Sequence, residues 1–146
     1  MPAIQYSYQS DDPQTSPARL LSLAGPSLAI DIGAPSLSGA SPPPVPAKAV
    51  AALIDTGLAS TCIDDNLAQE LGLKVIDRRP VRGPDKEKMV NVYLARVVVH
   101  ATRRESLASF VGLELGANWP IVLGRDFLAD IVMTYDGVNG IVTISG

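Results

Sequence analysis

Residues 48–57 read KAVAALIDTG, and this short stretch decides the fold. Seven residues of strand length, mostly small and aliphatic, run without interruption and then end abruptly at Asp55, Thr56 and Gly57. Such a run predicts a strand over residues 48–54 that is buried on both faces. A carboxylate placed directly after a buried strand lies on an apolar floor, which is the environment in which acidic side chains do chemistry.

A second segment makes the interpretation of the first more specific. Residues 121–128 read IVLGRDFL, an apolar run that ends at Gly124 and continues through Arg125 into a helical turn. Asp-Thr-Gly alone is a weak signal, because many strands end in a turn of this composition. The two segments together, about seventy residues apart, form a much more specific pair.

Composition excludes several classes of function. The chain has 146 residues, which suits one domain, and a net charge of -3. It has no basic stripe for nucleic acid, and the short run Arg78–Arg82 is interpreted as a solvated loop. Cys62 and His100 are the single cysteine and histidine, so neither an intrachain disulfide nor a four-ligand zinc site of the usual kind can form.

The N-terminal residues and the length of the apolar runs indicate where the protein is located. The first twelve residues are polar and do not resemble a signal peptide. No apolar run approaches the length that spans a bilayer, so we expect a cytoplasmic protein without a membrane partner.

The pattern of short strands and turns predicts an all-β, barrel-like domain. We expect a flexible N-terminal tail over residues 1–17 and one folded domain over residues 18–146, beginning with a strand-like stretch over 19–33 that is broken by Gly25-Pro26. Two short helices are predicted, at 64–72 and 125–129. The other expected elements are an exposed turn over 77–88, strands over 90–99, 107–115 and 119–124, and a closing hairpin over 131–144.

On the paired segments LIDTG and IVLGRDFL, the chain resembles the retropepsins, the retroviral-type aspartic proteases, over roughly residues 47–144. The resemblance implies a closed barrel, equivalent to half of a two-lobed acid protease, with one or two short helices. It also implies a homodimer whose chain ends interleave, so that the interface is expected at residues 140–146. Two-lobed enzymes carry two Asp-Thr-Gly segments, whereas this chain carries one, so a two-fold axis must supply the second.

The resemblance assigns catalysis to Asp55 from each subunit. Two close carboxylates share one proton, so one Asp55 activates a water and the other donates to the scissile carbonyl of a polypeptide. No metal and no cofactor are required. Thr56 is expected to bond across to the partner subunit, and Gly57 to let the backbone approach the substrate closely.

Further site residues follow from the same resemblance. Gly124 is expected to let its strand pass tightly beside the Asp-Thr-Gly turn, and Arg125 to tie the helical turn to the dimer. Leu58 stands where the family keeps a small residue and is expected to narrow a substrate pocket. Ala59 replaces an acidic partner of the arginine, which leaves Asp64 or Asp126 as candidates. The substrate-binding flap is placed at residues 81–91, with Arg82, Gly83 and Pro84 in a tip that is charged instead of apolar.

Two other functions remain open at this point. Leu58 and the charged tip are compatible with a non-catalytic dimer of the same fold that binds peptides or a partner. The chain could also be a monomeric β-domain in which Asp-Thr-Gly is only a turn. Cys62 is interpreted as a buried structural thiol, since a nucleophile would need His100 and an oxyanion hole beside it.

Overall fold

A computed structural model describes residues 3–8, 12–35, 48–100, 104–116 and 118–146 of the chain. Strands dominate these residues, and the three helices are short. The strands are β1 Ile4–Ser7, β2 Ser27–Gly33, β3 Lys48–Ile54, β4 Cys62–Asp64, β5 Lys74–Arg82, β6 Glu87–Val99, β7 Glu105–Leu113, β8 Ile121–Leu123, β9 Val132–Asp136 and β10 Ile141–Ser145. The helices are α1 Pro17–Ala24, α2 Asp65–Glu70 and α3 Arg125–Leu128.

Six strands close into a barrel. Their order is β2-β3-β8-β4-β7-β6, and β6 pairs back onto β2 through Ile30↔Val99 to Gly33↔Arg96. Closure leaves no free edge in this part of the sheet. The prediction of an all-β closed barrel is confirmed. One or two short helices were expected, and the described residues form three.

The barrel interior is filled by branched aliphatic side chains and two aromatic ones. Strand β2 alternates in the expected way, with Leu28, Ile30 and Ile32 almost fully buried. Strand β3 also alternates, since Ala52 is buried while Ala51 is exposed. The prediction that this strand is buried on both faces is therefore wrong, because a barrel strand turns only one face inward.

A second, three-stranded sheet has the order β1-β10-β9. Strand β10 lies in its middle and buries Val142 and Ile144 in the core. Strand β1 pairs with β10 although Ile4–Ser7 falls within the expected flexible tail. The division of the chain at residue 18 stays a prediction.

Helix α1 was not predicted, and the expected strand over residues 19–24 is wrong. Ser16 caps this helix by accepting the N–H of Arg19, Pro17 occupies its first turn, and Gly25 ends it at φ +83°. Leu21 anchors it in the core. No helix in the described ranges is long and apolar enough to cross a membrane.

Most of the remaining elements agree with the sequence, and the turn between β5 and β6 does not. Helices α2 and α3 form where expected, and Gly72 at φ +66° follows the end of α2. The closing hairpin is formed by β9 and β10. The expected turn over 77–88 is much shorter than predicted, because β5 continues as a strand to Arg82.

Candidate active site

The Asp-Thr-Gly turn leaves the barrel at the end of β3. Strand β3 runs parallel to β8, with Ile54 opposite Leu123, and the N–H of Asp55 donates to the carbonyl oxygen of Leu123 at 2.9 Å. The carboxylate Oδ1 of Asp55 accepts the N–H of Gly57 at 2.9 Å, and its carbonyl accepts the N–H of Leu58 at 3.2 Å. The backbone is therefore fixed on both sides, while Asp55 itself is exposed.

Gly124 packs against the back of this turn as closely as the resemblance implies. A Cβ at Gly124 would lie 2.8 Å from the carbonyl oxygen of Leu58 and 2.9 Å from the carbonyl carbon of Ser60. Neither backbone atom can move away easily, because the N–H of Arg125 donates to the same Leu58 oxygen at 2.8 Å. A side chain at residue 124 would push the turn out of place.

Arg125 binds the backbone of the Asp-Thr-Gly turn. Its Nη1 donates to the carbonyl oxygen of Thr56 at 2.8 Å. The expectation that Arg125 pairs with Asp64 or Asp126 is wrong. The carboxylate of Asp64 accepts the N–H groups of Leu115 and Gly116, and that of Asp126 binds elsewhere.

Asp126 belongs to a hydrogen-bond network with Thr61 and Gly124 that the sequence did not predict. Its Oδ1 accepts both the hydroxyl of Thr61 at 2.7 Å and the N–H of the same residue at 3.0 Å. The Thr61 hydroxyl oxygen in turn accepts the N–H of Gly124 at 3.0 Å. Thr61 is almost fully buried, so the bond from Gly124 lies out of water, whereas Asp126 is exposed and its bonds to Thr61 are only partly buried. Together these bonds join β4, β8 and α3. A threonine before a short apolar strand gives no local sign of this role.

Leu58 lies between the turn and the β5–β6 hairpin. It is half-buried and packs against the buried cluster formed by Cys62, Val90 and Val111. Val81, from the hairpin, packs against the same cluster. Leu58 therefore joins the hairpin to the floor of the candidate site, which is the Asp-Thr-Gly turn with the segment that follows it. This packing is compatible with the predicted narrowing of a pocket.

The predicted flap is a two-stranded hairpin. Arg82 pairs with Glu87, and the N–H of Gly83 donates to the carbonyl oxygen of Lys86 at 3.0 Å to close the tip. Arg82 and Pro84 are exposed. The hairpin contacts the rest of the site through residues further back, namely Val81, Val90 and Arg79, whose Nη1 lies 3.4 Å from the hydroxyl of Ser60. The run Arg78–Arg82 was interpreted as a solvated loop; it is exposed apart from half-buried Val81, but it forms the end of strand β5 and is not a loop.

Two nearby ionisable groups are shifted by their surroundings. Burial, with the negative charges of Asp126 and Asp55, raises the pKa of the Cys62 thiol to about 11. The thiol donates to the carbonyl oxygen of Ser60 and is a poor nucleophile at neutral pH. Burial alone would raise the pKa of Asp64, but backbone N–H groups, led by those of Leu115 and Gly116, lower it below its ordinary value.

This geometry defines a class of protein, a single-lobed barrel with one acidic turn at its edge, and comparison with known families gives that class its name. The sequence profile of the family described as "Aspartyl protease" matches residues 45–127, which is more than half of the chain. The chain belongs to this family, and its fold is retropepsin-like. No curated protein matches it in sequence.

Solved structures share the fold at low sequence identity. A retropepsin-like aspartic protease from Rickettsia conorii is 13% identical over 98% of this chain and 90% of that one, with a TM-score of 0.57. The aspartic proteinase from Irpex lacteus is 14% identical, with a TM-score of 0.53, over 99% of this chain but 47% of that one. EIAV protease is 14% identical over 72% of this chain and 86% of that one, with a TM-score of 0.50.

Proposed function

We propose that the protein is an aspartic endopeptidase, active as a symmetric homodimer that brings together two copies of Asp55. The observation that carries the proposal is the exposed Asp-Thr-Gly turn, fixed to β8 and α3 by Gly124 and Arg125. A turn braced this firmly but open to solvent presents its carboxylate to a partner instead of burying it.

The proposed chemistry needs one water and one shared proton. The ionised Asp55 takes a proton from the water as its oxygen attacks the carbonyl carbon of the peptide bond. The protonated Asp55 of the second subunit donates its proton to the carbonyl oxygen, which gives a tetrahedral diol. Transfer of a proton to the nitrogen then releases the amine and the carboxylic acid. Thr56 and Gly57 shape the floor of the site, and the hairpin holds the polypeptide from above in an extended conformation.

The edge of β9 is the candidate contact between subunits. The interface was expected at residues 140–146, but β10 has both edges paired within the chain, to β1 and to β9. Strand β9 has an unpaired outer edge in the described sheet and exposes Val132 (67%) and Tyr135 (47%). An edge strand pairs with its own copy across a two-fold axis without further adjustment, and β9 follows directly on α3, which braces the active turn.

Digestion of a peptide library by the wild type and by Asp55→Asn tests this function. The asparagine Oδ1 can still accept the Gly57 N–H, so the variant should fold. We expect it to lose at least about a hundredfold in rate, because it has no carboxylate to exchange protons. Equal cleavage by the two purified proteins would refute the proposal.

A non-catalytic peptide-binding dimer is the second candidate. The packing of Leu58 against the cluster shared with the hairpin favours it, because this side chain occupies space between floor and flap. A statine-type peptide inhibitor separates the two functions. A working dyad should bind it much more tightly than the same peptide without the statine hydroxyl, whereas a binding module should not distinguish them.

A further inference from the structure

Positive charge is concentrated on the β5–β6 hairpin. Residues 74–88 contain six of the 12 Lys and Arg residues of the chain and only three of its 15 Asp and Glu residues, a net charge of +3 in a chain of -3. The β5–β6 hairpin is therefore positively charged, whereas the nearby turn carries the carboxylate of Asp55. The positive potential of the hairpin attracts anionic segments of a polypeptide.

Strand alternation shows which of these cations face the floor. Arg79 lies two positions from Val81, so both side chains point to the same face of β5. Val81 packs against the cluster that Leu58 contacts, which identifies this face as the one turned to the active site. Arg78 lies on the opposite face. The cross-strand register places Val90 opposite Arg79, and Val90 belongs to the same cluster.

Arg79 contacts the segment that follows the Asp-Thr-Gly turn. Its Nη1 lies 3.4 Å from the hydroxyl of Ser60, only five positions after Asp55. This long bond uses one of the five N–H donors of the guanidinium. In the part of the chain that the structure describes, no carboxylate forms an ion pair with Arg79. A planar fork of donors without an anionic partner, beside a peptide-binding floor, is suited to a carboxylate.

Lys88 faces the same side but is less suited to this role. It lies opposite Val81 and lines a depression with Asp65 and Glu114. These two carboxylates offset its charge for an approaching anion. Arg79 is therefore the residue that can distinguish one polypeptide from another.

We infer that Arg79 is a specificity-determining residue that binds the side-chain carboxylate of an Asp or Glu close to the scissile bond. The inference rests on the proposed function for its substrate class, since it uses the same floor and flap. It predicts an enzyme that selects acidic polypeptide segments.

Binding to the Asp55→Asn protein tests the inference without requiring cleavage. Two labelled peptide pools are compared by fluorescence anisotropy, one containing a single Asp or Glu and the other the matched Asn or Gln. We expect the acidic pool to bind about fivefold more tightly at low salt, and this preference to weaken as salt is added. Arg79→Met should remove the preference, and Arg79→Glu should reverse it.

Arg78→Glu is the matched control, since it makes the same change of charge on the opposite face of the strand. It should retain most of the preference, and thermal unfolding should show that both variants fold. Equal binding of the two pools, binding of neither pool, or an equal effect of the Arg78 and Arg79 substitutions would overturn the inference. A preference that depends on Arg79, in a wild type that cleaves nothing, would reject the proposed function and retain the inference.

Discussion

Arg125 donates from Nη1 to the carbonyl oxygen of Thr56 at 2.8 Å, across 69 positions of the chain. Among the described residues, this contact is the one side-chain hydrogen bond between α3 and the Asp-Thr-Gly turn. We expect Arg125→Lys to lower kcat severalfold with a loss of about 1 kcal/mol in the free energy of unfolding, since an ammonium lacks the reach and the planar fork. Peptide assays and urea unfolding check both quantities. An unchanged kcat would show that Arg125 does not position the turn.

The Thr61 hydroxyl is expected to contribute more to stability than to catalysis. Thr61→Val keeps the shape of the side chain but leaves the Gly124 N–H without its acceptor and removes one donor to Asp126. We expect a loss of about 2–3 kcal/mol, because the Gly124 N–H is buried and the partly buried bond to Asp126 has a charged acceptor. Thr143→Val is the control, since the hydroxyl of this strand residue forms no hydrogen bond with the residues that the structure describes. Equal stability of the two variants would show that the hydrogen-bond network of Thr61 does not stabilise the fold.

Subunit mixing tests the shared site. Excess Asp55→Asn added to the wild type should suppress cleavage as subunits exchange, because each mixed dimer holds one carboxylate. Specific activity should also fall on dilution, as dimers dissociate. Activity that is unaffected by the variant, in a protein shown to be monomeric, would exclude a dyad made from two chains.

The β9 edge is tested by a charged substitution. Val132→Lys should shift the chain towards the monomer and lower activity at a given concentration, because a lysine on an edge strand opposes pairing. Val138→Lys is the control, since Val138 is 87% exposed in the turn beyond the strand. Sedimentation measures both. A shift that is equal in the two variants would place the interface elsewhere.

Deletion of residues 141–146 does not provide this test. It would remove Val142 and Ile144 from the core and unfold the chain, so a loss of activity would not identify the interface.

Asp64 gives the fold a defined response to acid. Because its pKa is lowered in the folded state, its contribution to stability is fully present above the ordinary Asp value of 3.8 and is lost as the pH falls below it. Asp64→Asn should therefore be less stable than the wild type at pH 7, by roughly 1–2 kcal/mol. The difference should shrink as the pH is lowered past 3.8. Urea unfolding over this range checks the sign, and a difference that grows on acidification would contradict it.

Local patterns predicted the barrel strands and the paired segments well, because a Gly at the end of an apolar run marks where the strand stops. Helix α1 carried such signals too, in Ser16, Pro17 and Gly25, but Gly25-Pro26 was interpreted as a break within a strand. The preference of this sequence for a capped helix outweighed the apolar run that suggested a strand.

The missed contacts of the site share one property. Thr61 and Asp126 are 65 positions apart, and Arg79 and Ser60 are 19 positions apart on different elements. Each residue looks ordinary in its own segment, and only barrel closure brings the partners together. Residue roles that were taken from the resemblance, including catalysis by Asp55, stay predictions until they are tested.

Strand β6 belongs to two structures at once. Its pairing with β7 ends at Val92, whereas its pairing with β5 continues to Glu87, so residues 87–91 stand beyond the barrel as half of a two-stranded ribbon. A hinge of the hairpin would therefore lie at the last pair shared with β7. Swinging the ribbon outward keeps the barrel pairings of β6 with β7 and β2, but it gives up the contacts of Val81, Val90 and Arg79. Opening the hairpin would thus expose apolar surface of Val81 and Val90 while the strands of the barrel stay paired.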